Sequence, residues 1–300
     1  MLVSLFTPTY NRSYTLDRLY ESLVNQTDKN FEWIVVDDGS TDDTQEKVMA
    51  WEKDGLIKVR YFYQRNSGKP SAHNRGVEEA QGSLFCCVDS DDYLRCDAVE
   101  KIIATWEKRN SNHIGILAFR VHIDGTPITQ IGDSVSQSTL RGAYKYHGLK
   151  GDTMLVFDTS VIKKYAFPII EGEKFIPEGY LYNKLDREGM LIIFREGLYI
   201  CEYQPDGYTA NVDRLLFNNY KSYIFHVNTR IREVDTFIEQ YFDSIRYTAI
   251  AFAHLRGQII SNAENKGMAF LALLPGYLLY RRRYMPLMKE KAVQNVYEGT

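Results

Sequence analysis

At 300 residues, 44% hydrophobic and 25% charged, the chain has room for one large α/β domain, or one domain plus a smaller appendage. A formal net charge of −3 excludes the strongly basic field of a general nucleic-acid binder. No apolar run reaches the roughly 20 residues of a spanning helix, and the N-terminus MLVSLFTPTYNR lacks the long apolar stretch of a secretion signal.

In chain order, LVSLF (2–6) is predicted as a buried strand. SYTLDRLYESLVNQ (13–26) is predicted as a helix with Leu16, Leu19, Tyr20 and Leu23 on one face. EWIVV (32–36) is a second strand. A helix follows, which Ser40 or Thr41 can cap and Gly55 stops. IKVRYFY (57–63), the helix PSAHNRGVEEAQG with its early proline, LFCCV (84–88) and the helix DAVEKIIATWEKRN continue the rhythm. Strands alternating with helices in this way predict an α/β fold, a mostly parallel sheet flanked by helices on both faces.

Beyond residue 110 the rhythm loosens. GILAF (115–119) and TMLVF (153–157) read as strands around a polar excursion, DGTPITQIGDSVSQSTLRG, which reads as a loop or small hairpin region. LIIF and LYICEY, within 191–203, read as two short strands after the Pro- and Glu-rich FPIIEGEKFIPEG (167–179). From about residue 213 the pattern is helical, so the chain divides into a domain at 1–212 and a helical region at 213–300.

Ligands of parallel sheets bind outside the carboxyl ends of the strands. The first four strands end in TPTYNR, DDGS, QRNSGK and DSDD, so four polar clusters are expected along one edge. In an extended chain Asp89 and Asp91 would project to one side, a pair suited to a hard divalent cation, Mg²⁺ or Mn²⁺. The alternative is a capping cluster in which Asp92 or Asp97 starts the next helix. Asp37, directly after its strand, can accept a ring N–H of a base, with Gly39 permitting the tight turn. Lys69 follows the flexible Asn-Ser-Gly of its loop and can meet phosphate, although a loop lysine is usually solvated. Neither a P-loop nor a dinucleotide-binding glycine pattern is present.

The series TPTYNR, VVDDGSTDDT, NSGKPSAHNRG and VDSDDYL, in this order and spacing, resembles family 2 glycosyltransferases of the GT-A type. The likeness is strong over about residues 1–110 and looser over 150–205. It implies a GT-A, Rossmann-like fold and an inverting transfer from a nucleotide-sugar, usually a UDP-sugar. The acceptor would be a glycan or lipid-linked saccharide, and the pathway that of a bacterial-type surface polysaccharide. Carried over by position, Asp37 contacts the uracil while Thr7, Pro8 and Tyr10 frame the nucleoside. Lys69, Arg75 and Ser90 lie along the donor, Asp89 lies by the ribose or metal, and Asp91 is the main metal ligand. The general base falls on Glu178, with Glu171 and Glu173 as alternates. Here the chain departs from the family, because Glu178-Gly179 stands where Glu-Asp is usual. The Tyr-rich segment YICEYQPDGYTANVD (199–213) would close over the site.

Two other readings stand beside this one: a nucleotidyltransferase on a similar sheet, and a nucleotide-sugar-binding module without catalysis. His73 and His147 have no partner at metal-ligand spacing and read as structural or solvated. Cys86, Cys87, Cys96 and Cys201 form no C-x-x-C motif and read as reduced thiols of a cytoplasmic protein. GMAFLALLPGYLLYRRRYMPLMKEK (267–291) joins an apolar stretch to Arg281–Arg283. It suits either a helix at the inner face of an anionic membrane or a packed terminal helix with a solvated basic end.

Overall fold

The computed structural model describes residues 1–202, 211–234 and 236–298, with side chains to Lys291. Its contacts divide the chain into two units. Unit 1 comprises Met1–Pro168 with Leu181–Gln204, and unit 2 comprises Ile169–Tyr180 with Pro205–Thr300.

In unit 1 the expected alternation is present as β1 (Val3–Thr9), α1 (Ser13–Val24), β2 (Phe31–Asp37), α2 (Thr44–Asp54), β3 (Val59–Tyr63), α3 (Lys69–Glu79) and β4 (Leu84–Cys87). There follow β5 (Tyr93–Leu94), α4 (Ala98–Trp106), β6 (His113–His122), β7 (Gln137–Ser138), α5 (Leu140–Tyr146), β8 (Thr153–Asp158), α6 (Thr159–Ile162), α7 (Gly179–Leu185) and β9 (Met190–Cys201). The sheet order is β3-β2-β1-β4-β8-β6-β9-β5, with β7 on β9. β1 lies between β2 and β4, both parallel to it, so the winding reverses there. The register sets Thr9 opposite Asp37 and Asp37 opposite Tyr63, which aligns three strand ends in one row.

β1 and β2 are buried along nearly their whole length, on both faces, with only Pro8 half-buried. On one face the rings of Tyr20 and Trp51 stack at 4.3 Å beside Trp33. Phe6 and Phe85 stack at 5.6 Å, and His73 meets Phe6, Phe85 and Phe167 edge-on. His73 is thereby part of a buried aromatic cluster, whereas His147 is exposed. Of the thiols, Cys86 and Cys201 are buried and Cys96 is exposed.

The second half of the sheet differs from a mostly parallel arrangement. β8 runs antiparallel to both β4 and β6, and β9 pairs β6 parallel but β5 and β7 antiparallel. The antiparallel pairs arise because β8 inserts between β4 and β6 running opposite to both. LIIF and LYIC form one strand, β9, whose register against β6 shifts around Arg195–Gly197, so the polar REG is absorbed as an irregularity. The 124–142 excursion carries an antiparallel bridge between Val121 and Pro127, then β7 and the start of α5.

Unit 2 is helical: α8 (Val212–Asn218), α9 (Tyr220–Glu233), α10 (Phe237–His254), α11 (Lys266–Leu271), α12 (Leu273–Arg283) and α13 (Met285–Glu298). Among the described residues no helix is long and apolar enough to cross a membrane. The segment 169–180 belongs here through its hydrogen bonds. Lys174 and Phe175 donate backbone N–H to Asn219 Oδ1, and both carboxylate oxygens of Glu173 accept N–H groups of Lys221 and Ser222 in the first turn of α9.

His226 is buried in α9, and its Nδ1 has no hydrogen-bond partner among the described residues. Burial, reinforced by Arg230 and Arg246, pushes its pKa down to about 3. Between that value and the ordinary 6.5 the unfolded chain binds a proton that the folded one refuses, so stability falls as pH drops through this window. From pH 6.5 to 5 the loss is about 2 kcal/mol for one such histidine. His226→Gln is therefore expected to flatten the acid dependence of thermal unfolding. Parallel Tm-against-pH curves for variant and wild type would refute this.

Candidate active site

Four loops meet at the carboxyl ends of β1 to β4. After β1 the chain turns sharply at Asn11, a non-glycine residue with φ of 52°. The turn is held because the Asn11 N–H donates to Ser40 Oγ at 2.9 Å, and Asn11 Oδ1 accepts the Thr41 N–H at 2.7 Å. The Ser13 N–H donates to Asp42 Oδ2, adding a third tie between the β1–α1 and β2–α2 loops. Ser40 and Thr41 thus serve this latch, and α2 starts later, at Thr44, whose N–H and hydroxyl donate to Asp42 Oδ1. Gly39, at φ 87°, permits the tight turn, and a Cβ there would lie 2.8 Å from the Asn66 nitrogen.

Asp37 is fully buried at the end of β2. Its Oδ1 accepts the Ser40 N–H and its Oδ2 the Tyr61 hydroxyl, each at 2.7 Å. Burial and that hydrogen bond hold the Tyr61 phenol protonated, its pKa well above the usual value. Asp38 organises the next loop: Oδ1 accepts Gln64 Nε2 and the Ser67 N–H, and Oδ2 accepts the Gly68 N–H at 2.7 Å. That fixes the start of α3 and hence Lys69. Pro8 is half-buried and Tyr10 exposed at this edge, whereas the Thr7 hydroxyl faces the core and accepts the Trp33 indole N–H.

The acidic cluster is a turn rather than an extended strand end. β4 stops at Cys87, and the Asp92 N–H donates to Asp89 O, so the alternation argument for Asp89 and Asp91 does not apply. Asp89 Oδ1 accepts from Lys69 Nζ at 2.8 Å, and Arg120 Nη2 lies 3.9 Å from Oδ2. Burial raises the Asp89 pKa, but these two cations outweigh it and hold the carboxyl below the usual range. Arg120 itself lies over the Tyr199 ring at 4.0 Å, with Nη1 3.7 Å from Asp92 Oδ2. The Tyr199 hydroxyl accepts the Asp89 N–H.

Burial and the charge of Asp89 push Asp92 up to about 7 against the pull of Arg120. The same two causes raise Asp91, whose carboxylate enters no ion pair among the described residues. Its carbonyl accepts from Arg18, which also pairs with Glu202. Ser90 is buried within the turn.

No three His, Cys, Asp or Glu side chains converge as a ligand set among the described residues. One open carboxylate beside a second, lysine-bound one still fits a magnesium-like cation, which commonly takes one or two carboxylates and completes its shell with substrate phosphates and water.

The structure thus brings Pro8, Tyr10, Asp37, Lys69, Asp89, Ser90 and Asp91 to one edge. Arg75 turns to β3, where it donates to Tyr63 O and its guanidinium covers the Phe62 ring. Glu178 is exposed immediately before α7 and belongs to unit 2, as do exposed Glu171 and the helix-capping Glu173. Residues 203–210, most of the Tyr-rich closing segment, lie outside the described residues. Sequence reasoning passed over Asp38, Arg120 and Tyr199. The available signal for Arg120 was a lone charge in the apolar run HIGILAFRVH.

A sheet wound in this order, with donors and carboxylates along one edge, defines an α/β scaffold whose ligand edge lies outside the carboxyl ends of its strands. The chain belongs to glycosyl transferase family 2, whose model matches residues 4–164. A glycosyltransferase of Rickettsia felis is 39% identical over 108 residues, 36% of this chain but 18% of that protein, so the chain spans less than a fifth of that relative. The GalNAc(5)-diNAcBac-PP-undecaprenol beta-1,3-glucosyltransferase of Campylobacter jejuni is 24% identical over 237 residues, 74% of this chain and 72% of that one. Among solved structures, S. aureus TarS 1–349 in complex with UDP superposes with a TM-score of 0.60 at 20% identity, covering 98% of this chain and 92% of that one. That likeness shows the GT-A fold.

Proposed function

We propose that the protein transfers a sugar from a nucleotide-sugar, a UDP-sugar in the first instance, to a glycan or lipid-linked saccharide in surface polysaccharide synthesis. The observation that carries this is the open Asp91 carboxylate beside the Lys69–Asp89–Arg120 array, at the strand ends where Asp37 closes the row. The UDP complex of the TarS structure and the polyprenol-linked substrate in the Campylobacter enzyme's name support the donor and acceptor classes.

In this reading Pro8 and Tyr10 frame the nucleoside, Thr7 supports them from the strand beneath, and Asp37 accepts the ring N–H of the uracil. Asp91, with Asp89, would hold Mn²⁺ or Mg²⁺, and the cation would supply positive charge against the leaving diphosphate. Lys69 can exchange Asp89 for a phosphate oxygen, and Ser90 keeps the turn close to the donor. Arg75 contributes by holding β3 rather than by touching the donor. Glu178 takes the proton of the acceptor hydroxyl. The hydroxyl oxygen bonds the anomeric carbon from the face opposite the diphosphate, the anomeric C–O bond to the diphosphate breaks, and the configuration inverts.

Nucleotide-sugars screened by thermal shift should pick out one base, with stabilisation that requires Mn²⁺ or Mg²⁺. At 100 times the Kd a ligand adds about 2.7 kcal/mol. A screen in which no nucleotide-sugar raises Tm with either cation removes the proposal.

A further inference from the structure

α11 and α12 behave as one nearly continuous helix, because the Ala272 N–H donates to Met268 O and the Gly276 N–H to Ala272 O across their junction. One side of it is buried: Met268, Ala269, Ala272 and Gly276 face the core of unit 2. Gly276 sits so tightly on α10 that a Cβ would lie 1.9 Å from Thr248 Oγ1. The opposite side is equally apolar and open. Phe270 is 67% exposed, Leu271 57%, Leu274 71% and Leu278 58%. At about 100° per residue these four fall on one arc, and exposed Arg281 and Arg282 continue it. A surface helix normally turns its polar face outward, so a helix apolar on both sides lacks a partner on one.

We infer that this outer stripe docks on an anionic lipid surface. The charge pattern selects that occupant. From Lys266 to Lys289 the chain contains no acidic residue, while Lys266, Arg281, Arg282, Arg283 and Lys289 are basic. Arg281 and Arg282 enter no ion pair among the described residues, whereas Arg283 is turned aside onto Asp213. A second copy packed stripe to stripe would bring those two guanidinium groups against the same segment, which carries no carboxylate. Lipid phosphates offer many, at the depth where arginines flanking inserted leucines come to rest. Since no helix among the described residues is long and apolar enough to span, the stripe would lie in the interface. The inference rests on unit 2 alone and is independent of the transfer reading.

The test is co-sedimentation of the full chain with vesicles of phosphatidylcholine plus phosphatidylglycerol, against phosphatidylcholine alone, at low and high salt. Wild type is expected to bind the anionic vesicles more tightly, and salt to weaken that binding. Leu274→Glu with Leu278→Glu should weaken it by more than about tenfold per site. Arg281→Gln and Arg282→Gln should weaken it by about fivefold each. These side chains are exposed, and unchanged thermal melts would show that the variants fold. Equal binding to neutral vesicles, or wild-type binding by the leucine variant, would overturn the inference. So would a wild-type dimer that ignores vesicles and that Leu274→Glu converts to monomer, since a second copy would then cover the stripe.

Discussion

Asp91→Asn is expected to abolish Mn²⁺-dependent UDP binding while leaving the protein folded. Among the described residues Asp91 is the carboxylate of the turn that enters no ion pair, and burial with the neighbouring Asp89 charge outweighs the pull of Arg12 and Lys69 and makes its ionised form costly. An amide of the same size removes that repulsion, so thermal stability in the absence of metal should hold or rise slightly. The hard anionic donor is lost. Outer-sphere partners of a metal are commonly worth 10- to 100-fold in affinity, so a direct ligand should be worth at least about 100-fold. Isothermal titration of UDP with and without Mn²⁺ reads this directly, and chelation should make wild type resemble the variant. Asp89→Asn offers a contrast, because it removes the negative charge that faces Lys69 and Arg120 and should lower stability as well as binding. Equal UDP affinity of Asp91→Asn and wild type with Mn²⁺ present would show that the cation is held elsewhere or not at all.

How much of this was legible in the sequence follows from how far apart the interacting residues lie. The strand ends could be read because each cluster directly follows an apolar run, and the parallel register then aligns Thr9, Asp37 and Tyr63 without further information. The turn at Asp89–Asp92 could be located but not shaped. Its geometry depends on Tyr199 and Arg120, which arrive from β9 and β6 through pairings that no local pattern encodes. Asp38 escaped notice because an aspartate after a strand reads as ordinary turn chemistry. Only the fold shows one carboxylate collecting donors from Gln64, Ser67 and Gly68. The roles of Arg75 and the Thr7 hydroxyl were set by neighbours on β3 and β2 in the same way. The Pro- and Glu-rich stretch 167–179 carries no helix or strand signal of its own, yet Asn219, more than forty residues on, fastens its Lys174 and Phe175 to the helices.

Glu178→Gln is expected to lower transfer by about 10²- to 10⁴-fold, the usual contribution of a general base, with donor and cation binding preserved. The glutamine keeps the size of the side chain and removes its ability to take a proton. Glu178 is exposed immediately before α7, so the change disturbs no buried packing, and a fall in rate reports chemistry rather than unfolding. The alternates separate on physical grounds. Glu173 receives two backbone N–H groups of α9, an arrangement that stabilises the helix start through both hydrogen bonds and dipole. Glu173→Gln should therefore cost about 1 kcal/mol of stability and leave most of the rate. Exposed Glu171 should tolerate the same change with little effect on either. Measuring kcat and the UDP Kd for the three variants distinguishes these outcomes. A Glu178→Gln enzyme that transfers at nearly the wild-type rate, beside a stable but inactive Glu173→Gln or Glu171→Gln, would move the base to that residue.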